Sequence, residues 1–201
     1  MRLLICLCAL LLSVPAQAAW TIPNNGGRAT LGTPHVRHIQ IPAATRGAVG
    51  TQPTPSAMGT AHCLQFASTG TSYAYFQWEV PEDWTGGNIT VEVDWAPDSG
   101  AMSGSDTIQW VIDYGARAVG EALNGSTSQA VGTVDADISQ YVTTHTAHTI
   151  AYNDPTNPLT HEDHLFFRIT RNTGVANDFG GTACITAFEI IYTSDGFPET
   201  N

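Results

Sequence analysis

Residues 73–95, YAYFQWEVPEDWTGGNITVEVDW, constrain the fold more than any other part of the chain. Two runs alternate strictly. Ala74, Phe76, Trp78 and Val80 share one face of the first, and Ile89, Val91, Val93 and Trp95 share one face of the second. A period of two with a single apolar face is the pattern of a half-buried strand. Pro81 has no N–H to donate and stops the first ladder, while Gly86-Gly87 supplies the positive φ of a reversal. The pair predicts a connected antiparallel unit and, with it, the nucleus of a β-sandwich.

The rest of the body repeats the pattern. Strands are predicted over 62–67, 73–80, 88–95, 107–116, 128–136, 145–152, 164–171 and 183–193, with Gly, Pro, Asn or Ser between most of them. Ile108, Trp110, Ile112 and Tyr114 form one inward set, and Leu165, Phe167 and Ile169 another. Eight short strands at this spacing predict an all-β fold: a single-domain, two-sheet antiparallel sandwich of jelly-roll type over 61–201. Helical turns are expected in GARAVGEALNG after Tyr114 and in DADISQYV around Ile138.

Residues 1–18, MRLLICLCALLLSVPAQA, carry one Arg, an apolar run and a small-x-small ending, which reads as a secretory signal peptide. Cys6 and Cys8 leave with it. Residues 19–60 are rich in turn residues and too poor in large apolar side chains to fill a core, so they read as an extended N-terminal arm. Its one alternating run, 36–41, is able to add to an open sheet edge, on its own sandwich or on a neighbour's. Nothing after the signal reaches membrane-spanning length.

With the signal removed, six basic residues face eighteen acidic ones, and there is no lysine. That field opposes a phosphate backbone or an anionic membrane, and it excludes lysine chemistry. In an oxidising compartment the two remaining cysteines, Cys63 and Cys184, are expected to pair, the alternative being two buried free thiols. A bridge would place the strand at 62–67 beside or opposite the last one, because the α-carbons of a disulfide lie within about 7 Å.

The segments VPEDWTGGNITVEVDW, IQWVIDYGARAVGEAL, HEDHLFFRITRNTGVANDF and ACITAFEIIY, in that order, resemble a β-sandwich domain of tailed-bacteriophage structural proteins and related bacterial secreted proteins. The resemblance implies a sandwich fold and a non-enzymatic, structural role.

Six histidines fall into His-x-x-His pairs, His35/His38, His145/His148 and His161/His164. Such a pair shares a face on a helix but not on a strand, so exposed or capping imidazoles are the expectation. For zinc or copper the best set is His161, Glu162 and His164. Asp135/Asp137, Asp94/Asp98/Asp106 and Asp178 are candidates for structural calcium, although none has the spacing of a calcium loop. Otherwise no cofactor is implied.

No catalytic motif occurs. Glu79, Glu92 and Asp94 would share the outward face of the opening strand pair, where two close carboxylates would suit glycoside hydrolysis, but a solvated sheet face carries such residues too. The expectation is a non-enzyme. Tyr73 and Tyr75 point outward and Trp84 sits at a turn, so these three form a candidate ligand or partner surface suited to sugars or protein. Two functions follow: a secreted structural subunit of an extracellular assembly, filamentous if an arm is donated, or a monomeric carbohydrate-binding module. Self-association, other extracellular proteins and glycans are the partners implied.

Overall fold

The computed structural model describes residues 34–42 and 52–195. The signal peptide at 1–18 and much of the arm lie outside the described residues. Among the described residues there are ten strands and no helix: β1 His35–Pro42, β2 Thr54–Met58, β3 Ala61–Phe66, β4 Ala74–Glu79, β5 Ile89–Pro97, β6 Thr107–Arg117, β7 Ser128–Asp135, β8 Thr144–Ile150, β9 His164–Arg171 and β10 Ala183–Ser194. The alternation locates all eight expected body strands. The helical turns do not form: Gly120 at φ 95° and Tyr141 at φ 64° sit in the left-handed region within the two segments.

All pairings within the two sheets are antiparallel. One sheet runs β2-β3-β10-β5-β8, and the other β4-β9-β6-β7. Beyond β3, the remaining length of β10 pairs with β1, from His35 opposite Ser194 to Pro42 opposite Ala187. Thus β1 and β2, both inside the stretch read as an arm, are strands of the larger sheet. Their few large residues suffice because Ile39 and Ile41 only need to complete a core built by others.

The opening strand pair is not a hairpin. β4 pairs with β9 in one sheet, and β5 pairs with β10 and β8 in the other. Alternation fixes which face of a strand is buried, but leaves its ladder neighbour open. Here the two apolar faces meet across the core, and the connection docks on the end of β10: the Thr85 N–H donates to Thr193 O and the Asp195 N–H to Asp83 O.

The interior is rich in aromatic and branched aliphatic side chains. Trp95, Trp110, Ile89, Val91, Val93, Ile108, Ile112, Leu165 and Ile169 are fully buried. Phe76 stacks between Phe167 at 4.4 Å and Phe188 at 4.6 Å, joining the two sheets face to face. Truncating such a ring costs about 3–5 kcal/mol. Cys63 and Cys184 form a disulfide with α-carbons 5.6 Å apart, and β3 lies beside β10 as the bridge requires.

His148 overturns the expectation of an exposed imidazole. It is 1% exposed. Its Nδ1 lies 3.3 Å from Val91 O and its Nε2 3.1 Å from Trp110 O, so one ring spans the two sheets. Burial pushes its pKa below the usual histidine value.

Candidate functional site

The inward sets of the four-stranded sheet define its outer face by elimination. With Ile108, Trp110, Ile112 and Leu165, Phe167, Ile169 in the core, β6 turns Gln109, Val111 and Asp113 outward and β9 turns Phe166, Arg168 and Thr170 outward. Register then builds rows across the strands. Tyr75 lies opposite Arg168, and Asp113 lies opposite both Arg168 and Gln129. The next row places Val111 opposite Thr170 and Val131.

The charged row is internally neutral. Asp113 accepts from Arg168 Nε at 3.0 Å and Nη2 at 2.7 Å through one oxygen, and from Gln129 Nε2 at 3.0 Å through the other. The hydrogen bond to Asp113 is the main reason the Arg168 pKa stands above its ordinary value. The Arg168 guanidinium also lies 4.8 Å from the Tyr73 ring centre, and Tyr73 leans on Tyr75 at 6.4 Å. Farther along the strands, Asn172 Nδ2 donates to Gln109 Oε1 at 2.6 Å and Gln109 Nε2 to Thr133 Oγ1 at 3.0 Å.

Between these rows lies a groove of about 350 Å³, lined by Tyr73, Gln109, Val111, Asp113, Gln129 and Arg168 among others. Thr170, also in its lining, has a sealed Oγ1 without a hydrogen-bond partner among the described residues. Chemically the groove offers amides that both donate and accept, a valine stripe, and an aromatic wall backed by a cation, with its one carboxylate already neutralised.

Of the three aromatic residues expected at a surface, Tyr73 and Tyr75 belong to this face, and Trp84 does not. Trp84 is 3% exposed, its Nε1 donates to Gly87 O at 3.0 Å, and its ring meets His161 edge-on at 5.4 Å. The connection that was expected to make a hairpin instead seals one end of the sandwich with this indole.

The candidate metal set does not converge. His161 Nδ1 lies 3.3 Å from Pro81 O, Glu162 takes φ 66°, and His164 turns onto Phe166. A left-handed residue between the two histidines removes the shared face that ligation needs. Among the described residues no three His, Cys, Asp or Glu side chains are grouped to hold a metal ion. Four of the six aspartates named for calcium have partners within the protein: Asp178 pairs with Arg171, Asp106 caps the Ser103 N–H, Asp135 accepts from Thr107, and Asp98 accepts from Gln65.

Glu79 lies on β4 and Glu92 and Asp94 on β5, hence on opposite sheets. Burial, then Glu189 and Glu92, raise the Asp94 pKa above the usual carboxylate value, a local repulsion on the larger sheet's outer face. Sequence reading missed Asp113, Arg168, Gln129, Gln109 and Asn172. Most of them occupy the outward positions of strands whose inward sets were evident, so the signal was present.

No family model matches the chain, and no curated protein matches it. Among solved structures it is similar to a chain of infectious bursal disease virus Gx strain, at 11% identity and TM-score 0.41 over 92% of this chain and 39% of that one. The corresponding Gt strain chain gives 11%, TM-score 0.40, 92% and 37%. A carbohydrate-binding module, CBM36, in complex with calcium and xylotriose gives 13% identity and TM-score 0.36 over 76% of this chain and 98% of that one. The chain therefore spans about two fifths of the viral chains' length. Likeness at this level carries no argument about function, and none of these three is a bacteriophage protein.

Proposed function

We propose that this chain is a secreted, non-catalytic binding module whose recognition surface is the outer face of the four-stranded sheet, and that its ligand is an uncharged polysaccharide. The supporting observation is the groove itself. Gln109, Gln129 and Asn172 offer amides, Asp113 and Arg168 cancel each other, and Tyr73 provides a ring face at one side. Amides match sugar hydroxyls, which donate and accept alike, and a tyrosine face packs against the apolar face of a pyranose. The Cys63–Cys184 disulfide supports an oxidising, extracellular setting. Among the described residues no helix is long and apolar enough to cross a membrane.

The test is retardation of the protein in native gels cast with a panel of neutral polysaccharides. Retardation by at least one of them, abolished in Tyr73→Ala and weakened in Gln129→Ala, is the expected result. Unretarded wild-type protein across the panel rejects it.

A second reading, a subunit of an extracellular assembly, draws on β4, an edge strand of six residues without proline or register shift. The opposite case is β2, an edge strand of five residues that contains Pro55 and is thereby blunted against further pairing. Sedimentation decides between the readings: concentration-dependent oligomers that persist when Gln77 on β4 is replaced by Pro would remove strand addition at that edge as the mode of assembly.

A further inference from the structure

The end of the sandwich that holds Arg117 contains a second cavity, of about 550 Å³, which the groove does not reach. Arg117 closes β6 and its side chain is 9% exposed. Its guanidinium lies between the backbones of Gly115 and Gly125; a β-carbon on Gly125 would come within 2.5 Å of Nη2, so only glycine admits the group there. Three hydrogen bonds hold it, all to neutral acceptors: Nη1 donates to Ala116 O and to Asn157 Oδ1 at 2.8 Å, and Nη2 to Ser126 O at 2.5 Å. A guanidinium has five N–H groups. Among the described residues Nε–H and one Nη2 hydrogen are thus left without an acceptor, on a side chain that lines the cavity.

The acceptor loop is prearranged. Asp154 Oδ1 takes the N–H groups of Thr156 and Asn157 at 2.8 Å each and the Ser128 hydroxyl at 2.7 Å. Asn157 Nδ2 donates to Ser128 Oγ at 2.8 Å, which fixes the amide's orientation toward Arg117. Arg168 and Arg171 each have a carboxylate within 3 Å, whereas among the described residues none lies within 4 Å of Arg117. Glu121 and Asp163 do line the cavity, but Glu121 accepts the Ala118 N–H and Asp163 the Thr160 N–H. The exposed Thr156 and Thr160 complete the polar wall.

We infer that this cavity binds a small hydroxy-carboxylate: its carboxylate sits on the free Nε and Nη2 donors of Arg117, and its hydroxyls meet Asp163, Glu121, Thr156 and Thr160. A buried cation with spare donors and no carboxylate within 4 Å favours an anion. The two cavity carboxylates disfavour an anion lacking hydroxyls to donate to them. The chemistry is shared by a uronic acid unit and an open-chain hydroxy acid. The site is independent of the groove and does not rest on the reading proposed for it.

The experiment is calorimetric titration of the full chain, in salt near 0.15 M to screen its overall negative charge, with D-glucuronate, L-malate, acetate and D-glucose. Glucuronate or malate binding with a dissociation constant of about 1 mM or tighter, at least about tenfold tighter than acetate or glucose, is the expected result. Which of the two binds better separates a sugar acid from a free organic acid. Arg117→Gln is expected to abolish binding. If that variant fails to fold, the Thr156→Val/Thr160→Val double variant decides, with an expected loss of about fivefold or more. The inference is overturned if neither acid binds, if glucose or acetate matches the better acid, or if the folded variants bind as wild type does.

Discussion

Arg171 and Arg117 lie at opposite ends of the β6–β9 ladder, opposite Trp110 and His164 respectively. Arg171 is 3% exposed and held through four of its N–H groups: Asp178 accepts from Nη2 at 2.9 Å and from Nε at 3.3 Å, the Gly181 carbonyl accepts from Nη1 at 2.7 Å and the Phe179 carbonyl from Nη2. Arg117 staples its loops with neutral acceptors alone and keeps donors in reserve. The Arg171 end also carries the disulfide and the contact of Gln65 with Asp98. One end is closed by an ion pair and a disulfide, and the other is stapled by the same residue type with neutral acceptors beside a larger cavity. What separates the two buried arginines is the counter-charge: Arg171 has a carboxylate at 2.9 Å, and among the described residues Arg117 has none within 4 Å.

Breaking the closed end should have the largest effect. Asp178→Asn leaves Arg171 buried without its carboxylate, and burial already pulls the Arg171 pKa below its ordinary value, so the expected loss is about 4 kcal/mol. Urea denaturation measures it, and a loss under about 1 kcal/mol would mean that the carbonyls suffice and the two ends are alike. Replacing both Cys63 and Cys184 by Ser should cost about 3 kcal/mol and loosen the same end. Hydrogen exchange should then rise first in residues 61–66 and 182–185 while residues 154–159 stay protected; the reverse order would invert the assignment.

At the other end, Asn157→Ala removes a neutral acceptor from a charged donor, and the expected loss is about 2 kcal/mol. A cost equal to that of Asp178→Asn would erase the distinction. The smallest effect belongs to neither end. Because the folded-state pKa of His148 is lowered, the unfolded chain takes up its proton first as pH falls. The contribution is complete above the unfolded-state value of about 6.5 and is lost as pH drops below it toward the folded value, at up to about 1.4 kcal/mol per pH unit. The difference between the pH profiles of the wild type and His148→Gln isolates it. Superimposable profiles would show that His148 carries no such coupling.

Much of this fold was legible because alternation is a local signal. Ala74 to Val80 and Ile89 to Trp95 declare strands and buried faces without reference to anything distant. What joins β5 to β10, or β4 to β9, is decided by which faces meet across the core, and no local pattern records it. The candidate face was half legible. Tyr73 and Tyr75 stood out as aromatics off the inward set, while Asp113 and Arg168 looked like ordinary surface charges until register placed them opposite each other. Trp84 and His148 were misread for one reason: a turn and a polar residue both suggest solvent, yet here one plugs an end and the other spans the interior. Arg117 and Arg171 offered no sequence signal, since a buried cation and a surface cation are written with the same letter.

The topology has a consequence for the order in which the molecule comes into being. β10 is the last strand among the described residues, and it is the common neighbour of β1, β3 and β5. Until it is made, the larger sheet has no middle: β2 with β3 and β5 with β8 can pair, but among the described residues nothing joins the two halves, and Cys63 lacks Cys184. Contacts this distant in sequence form late and slowly. A chain held open until residues 183–194 are made acquires the middle of its larger sheet and its disulfide together.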